Sequence, residues 1–317
     1  MSTLFSMYCL KLTNYKSRHK QLTTILKCWA SSSTSENELN EQKRRQQILS
    51  KGLPEKKPIK GVKQIVLVAS GKGGVGKSTT SVNLATALKI IEPEKKIGLL
   101  DADIFGPTIP LMMNLNEAPL TNDEKFIEPL VNYGIKCMSM GFLVDKKSPV
   151  IWRGLMVMGA LDTLLRKVAW GPLDYLIIDT PPGTGDTLLS LTQNIPLSGV
   201  LIVTTPQKAA LDVARRGAKM FQKLSIPIAG IVENMSSIIC PKCASEVPLF
   251  GDGSMNLSQE LEVPILAKFS LNEKISECGD SGKPIIFAEP NSEHANLYRD
   301  LAKKMVVFLQ KQSINNL

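Results

Sequence analysis

The sequence predicts an α/β protein in which helices cover both faces of a mostly parallel sheet. Three observations predict this doubly wound class. Of the 317 residues, 43% are hydrophobic, enough for a large core; short apolar runs alternate with segments of helical length; and a glycine-rich turn follows the first run. Continuous apolar strands separated by helices are typical of a parallel sheet buried on both faces. Ligands of such sheets bind at the carboxyl ends of the strands, so we expect the functional site at that edge.

Each element is predicted from its hydrophobic pattern. The predicted strands, in chain order, are Gln64–Ser70, Ile97–Leu100, Ile135–Met140, Leu173–Asp179, Gly199–Thr204, Ile228–Val232 and Ile265–Phe269. Helices are predicted at Lys77–Ile91, Arg153–Val168 and Lys208–Leu224. Apolar residues recur at helical spacing over Ser292–Gln312, which predicts a closing helix packed on the sheet. A helix lying on a membrane surface is the alternative for this last segment.

The basic charge of the chain is concentrated at its N-terminus. Residues 1–35 carry five of the nine net positive charges, no Asp or Glu, and twelve Ser or Thr. This composition is typical of a mitochondrial transit peptide, and a disordered basic tail is the alternative. Residues 36–61 are predicted to be a polar linker, and residues 62–312 the folded domain.

The rest of the composition excludes several classes of protein. Only four net positive charges remain outside the first 35 residues, so no nucleic-acid partner is expected. No uninterrupted apolar run is long enough to span a bilayer, which leaves at most a peripheral association with membranes. Six cysteines in a chain of this length do not indicate a disulfide scaffold.

A phosphate-binding loop follows the first predicted strand. The segment GKGGVGKS, from Gly71 to Ser78, fits the pattern G-x-x-x-x-G-K-S/T between a strand and a helix. Backbone N–H groups of such a loop and the N-terminus of the following helix bind phosphate. Lys77 is predicted to reach the β- and γ-phosphates, and the Ser78 hydroxyl to bind Mg²⁺. The predicted nucleotide contacts in the loop are Gly71, Lys72, Gly73, Gly74, Val75, Gly76, Lys77, Ser78 and Thr79.

Two further strands end in aspartates. Asp179 ends an apolar strand and is predicted to bind Mg²⁺, directly or through water. Asp103 is predicted to orient an attacking water, with Asp101 nearer the metal and the loop. Either site taken alone could be a turn or a helix cap. Together with the loop, they predict a nucleotide-hydrolysing site of weak activity.

Cys240 and Cys243 form a C-x-x-C pair in a predicted loop insertion at residues 236–250, and this spacing lets two thiolates bind one metal or cluster. A redox dithiol is an alternative, although the usual thioredoxin-like setting is missing. Burial as small apolar side chains suits Cys137 and Cys278 better than this pair. Because a complete site takes four ligands, two chains could together hold a 4Fe-4S cluster or a zinc ion.

Several longer motifs resemble one family. The segments SGKGGVGKS, DADIFGP and DTPPGTGD, the VENMS stretch before CPKC, and the LFGDG after it resemble the Mrp/NUBPL family of iron–sulfur carrier P-loop ATPases, of the deviant Walker A, MinD-like class. The similarity runs from about Val62 to about Leu309. It implies a homodimer in which Lys72 reaches the partner's nucleotide, which makes Lys72, Lys77, Asp103 and Asp179 the catalytic set. It also implies that Asn234 contacts adenine, with Thr205–Gln207 near the same base.

The same resemblance implies a function. Cys240 and Cys243 would hold a 4Fe-4S cluster between two protomers, filled by upstream cluster donors and delivered to apo iron–sulfur proteins. With the leader, it implies the mitochondrial matrix and the assembly of respiratory complex I. Two alternatives stay open: a MinD- or partition-type dimerisation switch, and an ATPase with a structural zinc. One departure is Ala244–Val247, where relatives often carry Gly or Lys and a His.

Overall fold

The computed structural model describes residues 56–144, 154–251 and 253–315. The predicted transit peptide and all of the linker up to Glu55 lie outside the described residues.

The domain contains nine strands and nine α-helices within the described residues. The strands are β1 (Val62–Ser70), β2 (Ile97–Asp101), β3 (Leu130–Asn132), β4 (Ile135–Ser139), β5 (Leu173–Asp179), β6 (Gly199–Thr204), β7 (Ile228–Ile239), β8 (Glu246–Pro248) and β9 (Ile265–Leu271). The helices are α1 (Lys77–Ile91), α2 (Ile109–Met112), α3 (Gly154–Arg166), α4 (Asp186–Asn194), α5 (Lys208–Lys223), α6 (Gly253–Leu261), α7 (Glu273–Asp280), α8 (Ile285–Ala288) and α9 (Glu293–Asn315).

One sheet organises the whole domain. Its strand order is β3-β4-β2-β5-β1-β6-β7-β8, and β9 also pairs with β7. All pairs are parallel except β3 with β4 and β7 with β8. The central strands are almost entirely buried, as their unbroken apolar runs predict for a sheet covered on both faces. The predicted doubly wound α/β class is confirmed.

The last helix packs on the domain as its periodicity predicts. The face of α9 that includes Tyr298, Leu301 and Met305 is fully buried, and α9 contacts α1 and β9. None of the described helices combines the length and the apolarity that crossing a bilayer requires.

The end of the predicted linker belongs to the domain. Ile59 is buried in the core, and the Lys57 amide donates a hydrogen bond to the Asn194 carbonyl. A polar, proline-containing composition concealed this packing, because one apolar side chain is too weak a pattern to detect in sequence. The linker bound at residue 61 was therefore placed a few residues too late.

The largest difference from the predicted strands concerns β7. It was predicted to end at Val232 but continues to Ile239, and its last residues pair antiparallel with β8. The expected loop insertion at 236–250 is therefore a β-hairpin with the two cysteines at its turn. Its polar turn and short return strand lack the apolar alternation from which strands are predicted.

Candidate functional site

The phosphate-binding loop joins the central strand β1 to α1. Gly74 and Gly76 have φ angles of 77° and 84°, in the left-handed region that favours glycine. A Cβ on Gly76 would also collide with the Asn234 side chain. The loop therefore takes this shape only with glycine at both positions, and its backbone opens towards the N-terminus of α1.

A buried ion pair lies at the base of the loop. Lys77 Nζ is 2.8 Å from Asp179 Oδ1, and the two side chains are only 7% and 0% exposed. The Ser78 hydroxyl donates to Asp179 Oδ2 at 2.6 Å, and the Ser81 hydroxyl donates to Oδ1 at 2.7 Å. The predicted residues Lys77, Ser78 and Asp179 therefore meet at one point. Ser81 was missed, although its position one helical turn after Lys77 is a signal that the sequence carries.

A second buried carboxylate lies beside this pair. Asp101 is directly opposite Asp179 in the pairing of β2 with β5. It accepts hydrogen bonds from the Asp103 and Ile109 amides and from the Ser139 hydroxyl. Burial, and next the negative charge of Asp179, raise the pKa of Asp101 to about 8. Asp101 therefore keeps its proton to a higher pH than an exposed aspartate does.

This protonation predicts a pH dependence of stability. Between the ordinary pKa of 3.8 and about 8, Asp101 holds its proton in the folded state and loses it on unfolding. The free energy of unfolding should therefore fall as pH rises through this window, by at most about 1.4 kcal/mol per pH unit. Urea unfolding of the metal-free protein at pH 5.5 and pH 8 measures this slope. Asp101→Asn should flatten it, whereas the exposed Asp162→Asn should keep it; an unchanged slope in Asp101→Asn would contradict the shift.

Asp103 and Lys72 lie at the outer side of the site. Asp103 Oδ1 accepts from the Gly106 amide at 3.3 Å and borders an open groove of about 1250 Å³, which Leu155 and Asp186 also line. The exposed Lys72 ammonium is 3.4 Å from Gln207 Oε1. Both side chains are therefore accessible from outside the chain, rather than enclosed with Lys77.

Asn234 joins the loop to a neighbouring cavity. Its Nδ2 donates to the Val75 carbonyl at 2.9 Å. The cavity, of about 370 Å³, is lined by Gly76, Thr79, Asn234 and Tyr298, among others. The amide therefore lies between the phosphate-binding loop and this cavity.

The two cysteines occupy the turn of the hairpin between β7 and β8. The Cys240 amide donates to the Ser245 carbonyl, and the Ala244 amide donates to the Cys240 carbonyl, each at 2.9 Å. Cys240 is half-buried and Cys243 is exposed. The Ser245 hydroxyl, 2.9 Å from Cys243 Sγ, is the largest cause that lowers the pKa of this thiol, and Cys240 adds to it.

The other two described cysteines are unlike this pair. Cys137 and Cys278 are both buried, and burial raises the pKa of each thiol. A raised pKa disfavours the thiolate that binds metal. Within the described residues, no three side chains of His, Cys, Asp or Glu come close enough together to form a metal site. Among these residues, the two hairpin cysteines are therefore the candidate ligands that one chain can contribute.

The surface around the hairpin is apolar. Several large side chains next to the cysteines are more than one third exposed: Ile238, Ile239, Val247, Leu249 and Phe250. Ile238 and Ile239 are adjacent in β7, so the exposed apolar side chains lie on both faces of the hairpin. Exposed apolar side chains clustered in this way are typical of a surface that another protein covers.

A family model matches most of the chain. The model of the ParA type, described as NUBPL iron-transfer P-loop NTPase, matches residues 61–306. The chain belongs to this family. The predicted Mrp/NUBPL resemblance is thus confirmed, and with it the class of P-loop NTPase that the fold indicates.

Two relatives and one solved structure show how close the similarity to NUBPL proteins is. The iron-sulfur cluster transfer protein NUBPL of Mus musculus is 52% identical over 84% of this chain and 83% of its own length. The iron-sulfur protein required for NADH dehydrogenase, mitochondrial, of Arabidopsis thaliana is 48% identical over 80% of this chain and 81% of its own. A nucleotide-binding protein from Archaeoglobus fulgidus, in complex with ADP, superposes with a TM-score of 0.64 at 34% identity, over 76% of this chain and 93% of its own.

Proposed function

We propose that this protein is an ATP-dependent iron–sulfur carrier: two copies hold a 4Fe-4S cluster and deliver it to apo-proteins of mitochondrial complex I. The observation that carries the proposal is the exposed cysteine hairpin on β7, the same strand whose Asn234 contacts the phosphate-binding loop. The names of the mouse and Arabidopsis relatives support the cluster and the destination.

The number of thiols supports a homodimer. A 4Fe-4S cluster takes about four thiolates, whereas one hairpin offers Cys240 and Cys243. Two hairpins brought together by their apolar faces supply the full set. Covering Ile239 and Phe250, both about 40% exposed, would also stabilise the pair by removing apolar surface from water.

The nucleotide site fits Mg²⁺ and a triphosphate. Ser78 Oγ and the Asp179 carboxylate place oxygen donors side by side, and hard divalent cations prefer oxygen ligands. Lys77 would leave its ion pair with Asp179 and bind the β- and γ-phosphates instead. Asn234 would contact adenine in the adjoining cavity. Asp103 would orient the attacking water, and the exposed Lys72 would reach the partner's nucleotide.

We infer a location in the mitochondrial matrix. The acid-free, hydroxyl-rich residues 1–35 and the mitochondrial Arabidopsis relative support it. Import into mitochondria of a chain that begins at Glu36 would contradict a targeting role for these residues.

Purification without oxygen tests the carrier function. We expect about two iron and two sulfide per chain, and activation of an apo acceptor of a 4Fe-4S cluster when the loaded protein is added. Iron, sulfide and zinc are measured in one sample, and acceptor activity in a second. About half a zinc per chain without iron would favour the structural-zinc ATPase. ATP-dependent dimers without metal would favour the partition-type switch.

A further inference from the structure

Strand β7 contains a bulge between the nucleotide site and the cysteines. Where β7 pairs with β9, Asn234 lies opposite Phe269 and Ile238 lies opposite Leu271. From the first of these pairs to the second, the chain therefore passes four residues in β7 but only two in β9. Bulges bend a strand and re-aim its side chains, and they occur next to functional sites.

The bulge holds an unfavourable backbone conformation. Met235 has a φ of 55°, in a region that bulky side chains rarely adopt. Ser236, the next residue, is fixed from two sides: its hydroxyl donates to the Phe269 carbonyl, and its carbonyl accepts from the Leu249 amide, each at 3.1 Å. Conformations of this kind persist where their surroundings over-determine them, and they are found in elements with two alternative arrangements.

One side of the bulge faces the nucleotide site. Asn234 and Met235 both line the cavity beside the phosphate-binding loop, and Asn234 also bonds the loop through the Val75 carbonyl. The other side is the base of the hairpin. Leu249, which bonds Ser236, lies on the return arm, and the Ser237 hydroxyl donates to Glu246 Oε1 at 2.5 Å.

A buried carboxylate fixes the strand just before the bulge. Glu233 is 4% exposed and accepts a hydrogen bond from the Ser254 hydroxyl of α6, and Lys268 Nζ of β9 is 3.5 Å away. Because α6 follows the hairpin in the chain, both ends of residues 235–253 are anchored at Glu233. A movement at the bulge would therefore be confined to the hairpin and to its pairing with the end of β9.

We propose that residues 235–237 are a hinge through which bound nucleotide controls the cysteine hairpin. The proposal rests on the proposed nucleotide site but not on which metal the cysteines hold. A nucleoside in the cavity contacts Asn234, next to the bulge, and favours one arrangement of the bulge, since a ligand shifts an equilibrium by binding one state better. Through its two hydrogen bonds, Ser236 couples that arrangement to the hairpin. The backbone hydrogen bonds of the hairpin then open less often.

Hydrogen exchange of the full-length, metal-free protein tests the hinge. Exchange is compared without ligand and with a magnesium complex of a non-hydrolysable ATP analogue, at concentrations that saturate protection of the phosphate-binding loop in each protein. In the wild type we expect the hydrogen-bonded amides of Cys240, Ala244 and Leu249 to exchange about fivefold more slowly with nucleotide.

Two variants at one position form the matched pair. Met235→Gly and Met235→Asn both remove the methionine side chain from the cavity. Glycine adopts many conformations freely, so the bulge becomes flexible and the slowing at the hairpin should fall below about twofold. Asparagine tolerates the left-handed conformation and keeps a Cβ, so the slowing should remain.

Protection of the loop is the internal control for folding and binding. Slower exchange at the loop without slower exchange at the hairpin, in the wild type, would overturn the hinge. The same hairpin response in both Met235 variants would overturn it too. Absence of protection at the loop itself in the wild type would overturn the nucleotide site, a distinct failure that removes the hinge with it.

Discussion

Replacing Lys77 with alanine is expected to abolish nucleotide binding and to lower the free energy of unfolding. The loop loses the cation for the β- and γ-phosphates. In the nucleotide-free protein, Asp179 also loses its buried partner at 2.8 Å. Removing one member of a buried ion pair costs roughly 3 kcal/mol, and the hydroxyls of Ser78 and Ser81 remain to limit the loss. Calorimetric titration with ATP and urea unfolding measure the two effects.

Lys72→Ala is the matched control for this variant. It removes a lysine from the same loop, but this one is exposed, and the hydrogen bond that the structure shows for its ammonium goes to Gln207. Binding and stability should stay near those of the wild type, while hydrolysis falls because the proposed target of Lys72 lies on the partner. Equal loss of ATP binding in both variants would be evidence against separate roles for the two lysines.

Replacing either Cys240 or Cys243 with serine is expected to remove the cluster almost completely. A symmetric pair of variant chains keeps two of about four thiolates, too few to hold a 4Fe-4S cluster. Loss of the shared cluster should also shift the protein towards monomer, since a ligand that binds only the dimer stabilises it. Iron and sulfide analysis after anaerobic reconstitution, with light scattering for mass, measures both effects.

Cys278→Ser is the control for the thiol substitution. Cys278 lies in α7, outside the hairpin, and burial raises its pKa. This variant should keep about two iron per chain. A monomer that carries a full cluster would refute the shared site, because Cys240 and Cys243 are the one closely spaced cysteine pair in the sequence.

The sequence predicted those parts of the site that depend on local patterns. Lys77 and Ser78 follow from the motif, and Asp179 from its place at the end of an apolar strand. The register that puts Asp101 beside Asp179 depends on strand order, which no local pattern contains. The raised pKa of Asp101 could not be predicted from the sequence either, because it also depends on that strand order.

The hairpin shows where prediction from sequence fails. The residues CPKCASE have no alternation of apolar and polar side chains, so β8 was not predicted. The positive φ of Met235 occurs where the pairing of β7 with β9 shifts register, and this pairing joins residues far apart in sequence. Ser81 is different, because helical spacing from Lys77 was sufficient to find it.

The hydrogen bonds of Asp179 have a consequence for the order in which ligands arrive. Its two oxygens already accept from Lys77, Ser78 and Ser81. A free magnesium ion would have to displace the lysine ammonium while offering it no anion in return. Magnesium that arrives on a triphosphate brings the replacement anion with it. The resting site thus keeps its lysine in place, and under the proposed function it would admit magnesium as part of the nucleotide complex rather than ahead of it.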